Sequence, residues 1–327
     1  MRRSLLRIDL TIPHNKPFDV VGVGINVIDY LFRVPQFPEP NTKMDALGAT
    51  IQGGGLTATA MVACARLGLR TRYIGKFGDN EIGSMAVEEL GREGLDVSAS
   101  VTAPGVPNRF YVVLVEEGTG HRTIVRLRDP RIWLRPEELA PEAICAGRVL
   151  HLDGYEGDAA LQAARWAKTA GIPVSVDAEE PTQHRKELFA LTDILIVGLR
   201  FGRELTGASD PDGILEGLAH LGPTCVGVTL GEAGSKLRHR GETVSAAGFP
   251  VNVMDTTGAG DVFHGAFLFG LLQGWEASDI LRFANAVSAL KCTRLGGRAG
   301  IPTLAVVQGF LAAQISQTSA ESSGKEP

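Results

Sequence analysis

The segment MDTTGAGDVFHGAF, residues 254–267, places an acidic residue directly after a glycine turn that opens an apolar helix. The turn Gly258-Ala259-Gly260 leaves backbone N–H groups free at the helix N-terminus, and together with the helix dipole these groups form a site for a phosphate in transfer. Asp261 lies in the first helical turn, where a carboxylate can accept the proton of a substrate hydroxyl. A carboxylate there also stabilises a helix without any catalysis, so the segment alone leaves both interpretations open.

Alternating strands and helices must hold this helix start in position. FDVVGVG, residues 18–24, predicts a buried strand of a parallel sheet, and beyond Gly147 strand and helix patterns alternate along the chain. This alternation predicts an α/β fold, a doubly wound sandwich in which helices cover both faces of a largely parallel sheet. We expect one such domain over residues 17–315, followed by a polar, disordered tail over residues 316–327.

Two strand patterns interrupt the alternation. RFYVVLVEE (109–117) and HRTIVRLR (121–128) are joined by Gly118-Thr119-Gly120, which is the signature of a β-hairpin. Because this hairpin falls inside an otherwise βα chain, it predicts a small inserted sheet. We expect a discontinuous β lid formed by residues of about 30–51 and 108–127.

Composition and charge exclude several classes of protein. The 327 residues carry a formal net charge of −5, which does not indicate a nucleic-acid or membrane-surface binder. The four cysteines are far apart in sequence, so they form no zinc or redox motif and predict reduced thiols. The start, MRRSLLRIDLTIPHNKP, lacks the apolar stretch of a signal peptide, and no apolar run is long enough for a transmembrane helix. We therefore expect a cytoplasmic location.

Four further segments combine glycines with small or polar residues. They are GVGINVID (22–29), GGGLTATAMVACARLG (53–68), YIGKFGDNEIG (73–83) and VTLGEAG (228–234). In this order, and together with residues 254–267, they resemble the motifs of the ribokinase-like (PfkB) carbohydrate kinase family over most of residues 18–303. Within that family, KCTRLGGRAGIP (291–302) and GDVFHGA are most similar to the sulfofructose kinase and ketohexokinase branch.

The resemblance implies an ATP-dependent kinase that phosphorylates a hydroxyl, expected to be a primary one, of a sugar or sugar derivative. Asp261 matches the catalytic base of the family, and Gly258, Ala259 and Gly260 match the anion hole around the transferred γ-phosphate. Asp29 matches the acid that binds sugar hydroxyls, and a carboxylate can accept two such hydrogen bonds. The implied cofactors are ATP and Mg²⁺, with K⁺ in those members that potassium activates.

The other site positions of the family also have counterparts in this chain. Further substrate contacts are implied for Gly54, Gly55, Thr59, Arg122, Lys43 and Arg126. Nucleotide contacts are implied for Thr229, Gly231, Gly234, Ala284, Asn285, Gly296 and Gly297. Metal binding is implied for Glu204, in the Asn-x-x-Glu element that organises Mg²⁺, and for Asp255, near which potassium-activated members hold K⁺.

Three positions depart from the family pattern. Thr59 replaces an asparagine that contacts the substrate, and Phe201 replaces an asparagine of the magnesium site. Lys43 aligns with a lysine that contacts the sulfonate in sulfofructose kinases, but their sulfonate arginine has no counterpart near Gly154. The complete sulfonate clamp is therefore missing, although Lys43 and Arg126 could still contact some anionic group of a substrate.

The identity of the acceptor stays open at this level. A neutral sugar, an anionic sugar such as a sugar phosphate or sulfosugar, and a nucleoside all remain candidates, and a nucleoside would need an aromatic platform such as Phe32, Phe37 or Phe110. A catalytically silent sugar-binding relative is a further alternative because of Thr59 and Phe201, but an acid beside an intact anion hole argues against it. The exposed edge of the lid sheet predicts a homodimer that pairs through the lids.

Overall fold

The computed structural model describes residues 6–323, with side chains described through residue 314. Its strands are β1 (Phe18–Val23), β2 (Val27–Val34), β3 (Gly48–Gly54), β4 (Thr71–Ile74), β5 (Lys76–Gly78), β6 (Val101–Ala103), β7 (Phe110–Glu116), β8 (Arg122–Leu127), β9 (Gly147–Leu152), β10 (Val174–Ala178), β11 (Ile194–Gly198), β12 (Cys225–Thr229), β13 (Ser235–His239) and β14 (Glu242–Ala246). Its helices are α1 (Leu56–Arg66), α2 (Glu81–Arg92), α3 (Pro141–Ile144), α4 (Asp158–Thr169), α5 (Arg185–Ala190), α6 (Leu199–Thr206), α7 (Pro211–Ala219), α8 (Ala259–Leu272), α9 (Ala277–Lys291) and α10 (Leu304–Ser323).

The main sheet has eight strands in the order β14-β13-β12-β11-β10-β9-β1-β4. The strands from β12 to β4 pair in parallel, and β13 and β14 extend the sheet in antiparallel fashion. Neighbouring residues of a strand point to opposite faces. Thus Val20 packs into an apolar cluster that includes α1, α8 and α9, whereas Val21 packs into a second cluster with α4, α5 and α7. The predicted doubly wound α/β sandwich is confirmed.

A second sheet stands outside this sandwich and has the order β3-β2-β7-β8. Strand β2 pairs in parallel with β7 and antiparallel with β3, and β8 completes the predicted hairpin with β7. Alternate residues of β7 are buried, namely Tyr111, Val113 and Val115, whereas all six residues of β8 are exposed. The predicted small sheet is therefore present, and its role as a lid stays a prediction.

The helix that carries the predicted chemistry lies deep in the molecule. Every residue of α8 from Asp261 to Leu271 is buried, because the helix packs between α1 and α9. Gly265 permits the close contact with α1, since a Cβ atom there would lie 2.7 Å from the Cβ of Ala63. The helix start is thereby fixed with little freedom to move.

The C-terminal helix α10 extends to Ser323 and so includes residues for which a tail was predicted from residue 316. Residues 324–327 lie outside the described residues, and for them the disordered tail stays a prediction. In the part of the chain that is described, no helix has both the length and the apolar character needed to cross a membrane.

Candidate active site

A left-handed glycine begins the turn in front of α8. Gly258 is the N-cap residue with φ 76°, and a Cβ atom there would lie 2.9 Å from the carbonyl oxygen of Gly297. Both the dihedral angle and the close approach of Gly297 therefore favour glycine at this position. The turn leaves the first N–H groups of α8 without helical partners, as an anion site requires.

Asp255 anchors this turn through both of its carboxylate oxygens. Its Oδ1 accepts hydrogen bonds from the backbone N–H and the hydroxyl of Thr257, at 2.8 Å and 2.7 Å, and its Oδ2 accepts one from the N–H of Gly296, at 2.7 Å. The residue is fully buried. Asp255 was predicted to hold a metal ion, but its carboxylate is engaged in joining two loops.

Asp261 is a buried acid that lies near other acids. Burial raises its pKa well above the usual range, and the nearby charges of Asp177, Glu179 and Asp153 raise it further, while Lys291 opposes the shift. Asp153 and Glu179 follow the carboxyl ends of β9 and β10, the edge at which open parallel sheets bind their ligands. A raised pKa makes a carboxylate a stronger proton acceptor, which suits a general base.

A buried polar cluster lies behind Asp261. His264, one helical turn further along α8, contacts Asp177 with 3.2 Å between Nε2 and Oδ1, and its ring lies 5.4 Å from that of His151. Burial, with a smaller contribution from His264, lowers the pKa of His151 to about 3, so His151 is neutral at physiological pH. Among the described residues, Oδ2 of Asp177 has no hydrogen-bond partner. Nothing in the sequence pattern had indicated this cluster.

A cleft of about 570 Å³ leads to the start of α8. Four of the residues predicted to contact the nucleotide line it, namely Thr229, Gly231, Gly234 and Asn285, and Ala259 and Gly260 of the turn also contribute. The other lining residues include the apolar group Phe249, Pro250, Val251, Val253 and Phe263. An apolar slot that ends at an anion site has the chemistry to hold a nucleotide base at one end and phosphates at the other.

Three of the predicted nucleotide residues do not line this cleft. Ala284 is fully buried in α9, whereas its neighbour Asn285 donates hydrogen bonds to the carbonyls of Ala246 and Ala247 at 3.0 Å and 3.1 Å. Gly296 lies against the side chain of Gln52, and Gly297 lies against Gly258. These two glycines therefore support the turn and the base of the second sheet.

Asp29 and the predicted sugar-binding glycines lie together. Asp29 on β2 is buried, and a Cβ atom on Gly54 would collide with its carboxylate. Burial raises the pKa of Asp29 to about 7, Arg298 opposes that shift, and Asp255 and Glu89 add to it. Gly55 caps the N-terminus of α1 with φ 91°. The predicted substrate pair of Asp29 and the Gly54-Gly55 backbone is thus brought together in space.

Arg298 is a functional candidate that the sequence analysis missed. Its guanidinium is almost completely buried and donates hydrogen bonds to the carbonyl of Gly54, at 2.6 Å, and to the hydroxyl of Thr59, at 3.3 Å. It also pairs with Glu89 at 3.4 Å. Thr59, predicted to contact the substrate, is buried against this arginine instead of facing open space. The sequence feature that could have identified this residue is its position, since Arg298 is a charged residue directly after the glycine pair Gly296-Gly297.

The cationic residues predicted for the lid have different surroundings. Arg122 donates a hydrogen bond of 2.8 Å to the hydroxyl of Thr256, which lines the cleft at the start of α8. Arg126 pairs with Glu180 at 3.2 Å, and Lys43 is exposed in the loop between β2 and β3. Of the three, Arg122 is the residue that reaches the predicted site of chemistry.

The remaining metal candidate lies apart from these contacts. Glu204 is exposed on α6, and Phe201 of the same helix is buried in the core. Within the described residues, no group of three or more histidine, cysteine, aspartate or glutamate side chains could hold a metal ion. The described chain thus offers no protein cage for a metal.

The chain is similar to known proteins over most of its length. The chain matches the profile of the pfkB family carbohydrate kinases over residues 18–304. It is 30% identical over 291 residues to a protein named probable fructokinase-2 from Arabidopsis thaliana, covering 80% of this chain and 87% of that protein. It is 27% identical to ribokinase from Haemophilus influenzae, covering 90% of this chain and 98% of the relative. The structure of Arabidopsis thaliana ribokinase complexed with ribose and ATP aligns with a TM-score of 0.77 at 25% identity, covering 90% of this chain and 98% of that one.

Proposed function

The chain belongs to the pfkB family of carbohydrate kinases and is an ATP-dependent carbohydrate kinase, and from that premise we propose that it phosphorylates a primary hydroxyl of an uncharged sugar with Asp261 as the general base. The observation that carries the proposal is the position of Asp261. It is a buried carboxyl group with a raised pKa, and it directly follows Ala259 and Gly260, which line the cleft. In this proposal the general base Asp261 and the anion site at Gly258–Gly260 act on the same phosphoryl transfer.

In the proposed reaction ATP binds as its magnesium complex, and the acceptor hydroxyl lies between Asp261 and the γ-phosphate. As the hydroxyl oxygen attacks phosphorus, its proton passes to Asp261, and the bond from phosphorus to the β-phosphate oxygen breaks to release ADP. The N–H groups of Gly258–Gly260 stabilise the charge on the phosphoryl oxygens. The hydrogen bond from Arg122 to Thr256 brings a further positive charge to the same loop.

The sugar is held at the second sheet in this proposal. Asp29 accepts hydrogen bonds from its hydroxyls, and the Gly54-Gly55 backbone lies against its ring, because no Cβ atom stands in between. Arg298 holds Gly54 in that position through the carbonyl hydrogen bond. Closure of the second sheet over the sugar would keep water from the transferred phosphate.

The charge around Asp261 supports an uncharged acceptor. Asp153, Asp177 and Glu179 surround the base with negative charge. Of the two cations that could contact a sulfonate or phosphate, Arg126 is already paired with Glu180, and Lys43 is exposed in the loop between β2 and β3. An anionic sugar would therefore meet repulsion from the acids and would have to displace Glu180 before it could bind Arg126.

An acceptor panel tests the proposal. Consumption of Mg·ATP is measured with neutral ketoses and aldoses, nucleosides, sugar phosphates and sulfosugars, with the Asp261→Asn variant as control. We expect the highest kcat/KM for a neutral sugar and loss of that activity in the variant. A sugar phosphate or sulfosugar as best acceptor would overturn the uncharged acceptor, and equal activity of the variant would overturn the base.

We further propose a homodimer that covers the second sheet. Ile124, Val125 and Leu127 on the edge strand β8 and Ile51 on the opposite edge strand β3 are all more than 40% exposed. An exposed apolar edge favours pairing with a second copy of the chain. Light scattering coupled to gel filtration should give the mass of a dimer, and the Val125→Lys variant should give a monomer. A wild-type mass of about 34.7 kDa would contradict the dimer.

A further inference from the structure

Lys291 is a buried lysine directly beneath the active-site turn. It is the last residue of α9, its side chain has no exposed surface, and its Nζ donates a hydrogen bond of 2.9 Å to the backbone carbonyl of Asp255. Lysine is rarely buried so completely unless it is paired. Its position continues the buried stripe of Ala284 and Val287 by helical spacing, so a charge occupies a place where the pattern predicts an apolar side chain.

The surroundings of Lys291 explain how a charge is tolerated there. Burial lowers the pKa of the ammonium, while the negative charges of Asp255 and Asp261 oppose that shift, and Arg122 adds repulsion. Two acids and a carbonyl oxygen thus compensate the desolvation of one cation.

The contact of Lys291 fixes the start of the turn. The N–H groups of Met254 and Asp255 both donate to the carbonyl of Cys292, at 2.8 Å and 3.2 Å, so the segment is bound to the end of α9. Asp255 then uses its side chain for Thr257 and its carbonyl for Lys291. The backbone that precedes the turn at Gly258 is therefore held by a cation on one side and by hydrogen bonds on the other.

We propose that the ammonium of Lys291 permanently supplies the monovalent positive charge that positions the Asp255 carbonyl and the Gly258–Gly260 turn, so that this kinase needs no potassium ion there. The inference rests on the proposed role of that turn as the anion site. Potassium binding near Asp255 is implied by resemblance to other family members, but the residues here do not fit it. The Asp255 carbonyl is already occupied by the ammonium, and a second cation beside it would be repelled. Lys291 is a positioning residue, because its contact is with the backbone before the turn.

Kinetics with defined cations test this role. Mg·ATP turnover is measured with the best acceptor in tetramethylammonium chloride, then in KCl, NH₄Cl or NaCl at equal ionic strength. We expect wild-type kcat to change less than about twofold between these salts, because the charge is already in place.

In Lys291→Ala, kcat should fall by about tenfold or more, and K⁺ or NH₄⁺ should restore part of it, since either ion can enter the vacated space. Lys236→Met, which removes a partly exposed lysine that pairs with Asp212 on α7, should behave as wild type.

A second measurement does not depend on turnover. The melting temperature of Lys291→Ala should rise with K⁺ but not with tetramethylammonium, whereas that of wild type should respond equally to both salts. Severalfold activation of wild type by K⁺, or a folded Lys291→Ala variant with full kcat in tetramethylammonium, would overturn the inference. If no acceptor is phosphorylated but the variant alone shows K⁺-dependent melting, the proposed function fails while the cation-replacing role of Lys291 stands.

Discussion

The guanidinium of Arg122 donates a hydrogen bond of 2.8 Å to the hydroxyl of Thr256, two residues before the glycine turn that begins at Gly258. The bond joins the exposed strand β8 of the second sheet to the loop that opens α8, across 134 positions in the sequence. Thr256 also lines the cleft at the start of α8. The second sheet is therefore connected to the loop before α8 by a cationic side chain of β8.

Replacing Arg122 should impair the chemical step more than nucleotide binding. In Arg122→Ala we expect kcat with the best acceptor to fall by about 10- to 100-fold, because the variant loses both a positive charge beside the proposed anion site and the contact of the second sheet with Thr256. The KM for ATP should change less than kcat. Arg126→Ala is the matched control on the same strand, since Arg126 pairs with Glu180 and not with Thr256. Equal losses in the two variants would contradict a special role of Arg122.

Removing the charge of Asp261 should reduce activity and increase stability. Asp261→Asn should lower kcat by about 10²- to 10⁴-fold through loss of the base. The same change should raise the melting temperature, because a buried carboxyl group surrounded by Asp153, Asp177 and Glu179 destabilises the fold. Calorimetry at pH 8 measures the melting temperature, and the control is the Asp158→Asn variant, which removes the charge of an exposed aspartate. A lower melting temperature of Asp261→Asn would show that the carboxylate is a net stabiliser.

Acceptor binding should depend on the protonation of Asp29. Its folded-state pKa of about 7 lies above the unfolded value, so any stability from this group is present at low pH and is lost as the pH rises through about 7. The carboxylate that accepts sugar hydroxyls forms in that same interval. Acceptor affinity, measured calorimetrically with a non-hydrolysable ATP analogue, should therefore increase from pH 6 to pH 8. The Asp29→Asn variant should bind weakly with no such pH dependence, and an unchanged profile in this variant would assign the titration to another group.

Loss of Arg298 should affect the acceptor and leave ATP binding intact. The guanidinium contacts Gly54 and Thr59 on the proposed sugar side but does not line the proposed nucleotide cleft. In Arg298→Lys, which keeps the charge but loses the forked donors, we expect acceptor KM to rise by about tenfold with little change in the KM for ATP. A parallel rise of both KM values would indicate a general loss of structure.

The sequence predicted those parts of the site that depend on backbone conformation. Glycine spacing predicted the turn before Asp261, and the resemblance to the kinase family implied the Gly54-Gly55 pair, because tight turns and close approaches require particular residues locally. Lys291 and Arg298 escaped prediction because their partners lie 36 and 244 positions away along the chain, where no local pattern can show them. The same limit applies to β5 and β6, strands of three residues whose pairing depends on the tertiary structure.

The ion pair between Arg109 and Glu156 should be important for stability and not for catalysis. Both side chains are completely buried, 2.9 Å apart, and Glu156 also accepts a hydrogen bond of 2.7 Å from the N–H of Leu134. Glu156→Ala leaves the guanidinium buried without its charge partner, so the free energy of unfolding should fall by about 3–5 kcal/mol in urea titrations. The double variant Arg109→Met/Glu156→Leu should recover part of that loss, because no buried charge then remains unpaired. The control is Glu88→Ala in the exposed pair with Arg92, which should change the free energy of unfolding by less than about 1 kcal/mol. Equal effects of Glu156→Ala and Glu88→Ala would contradict a special role of the buried pair.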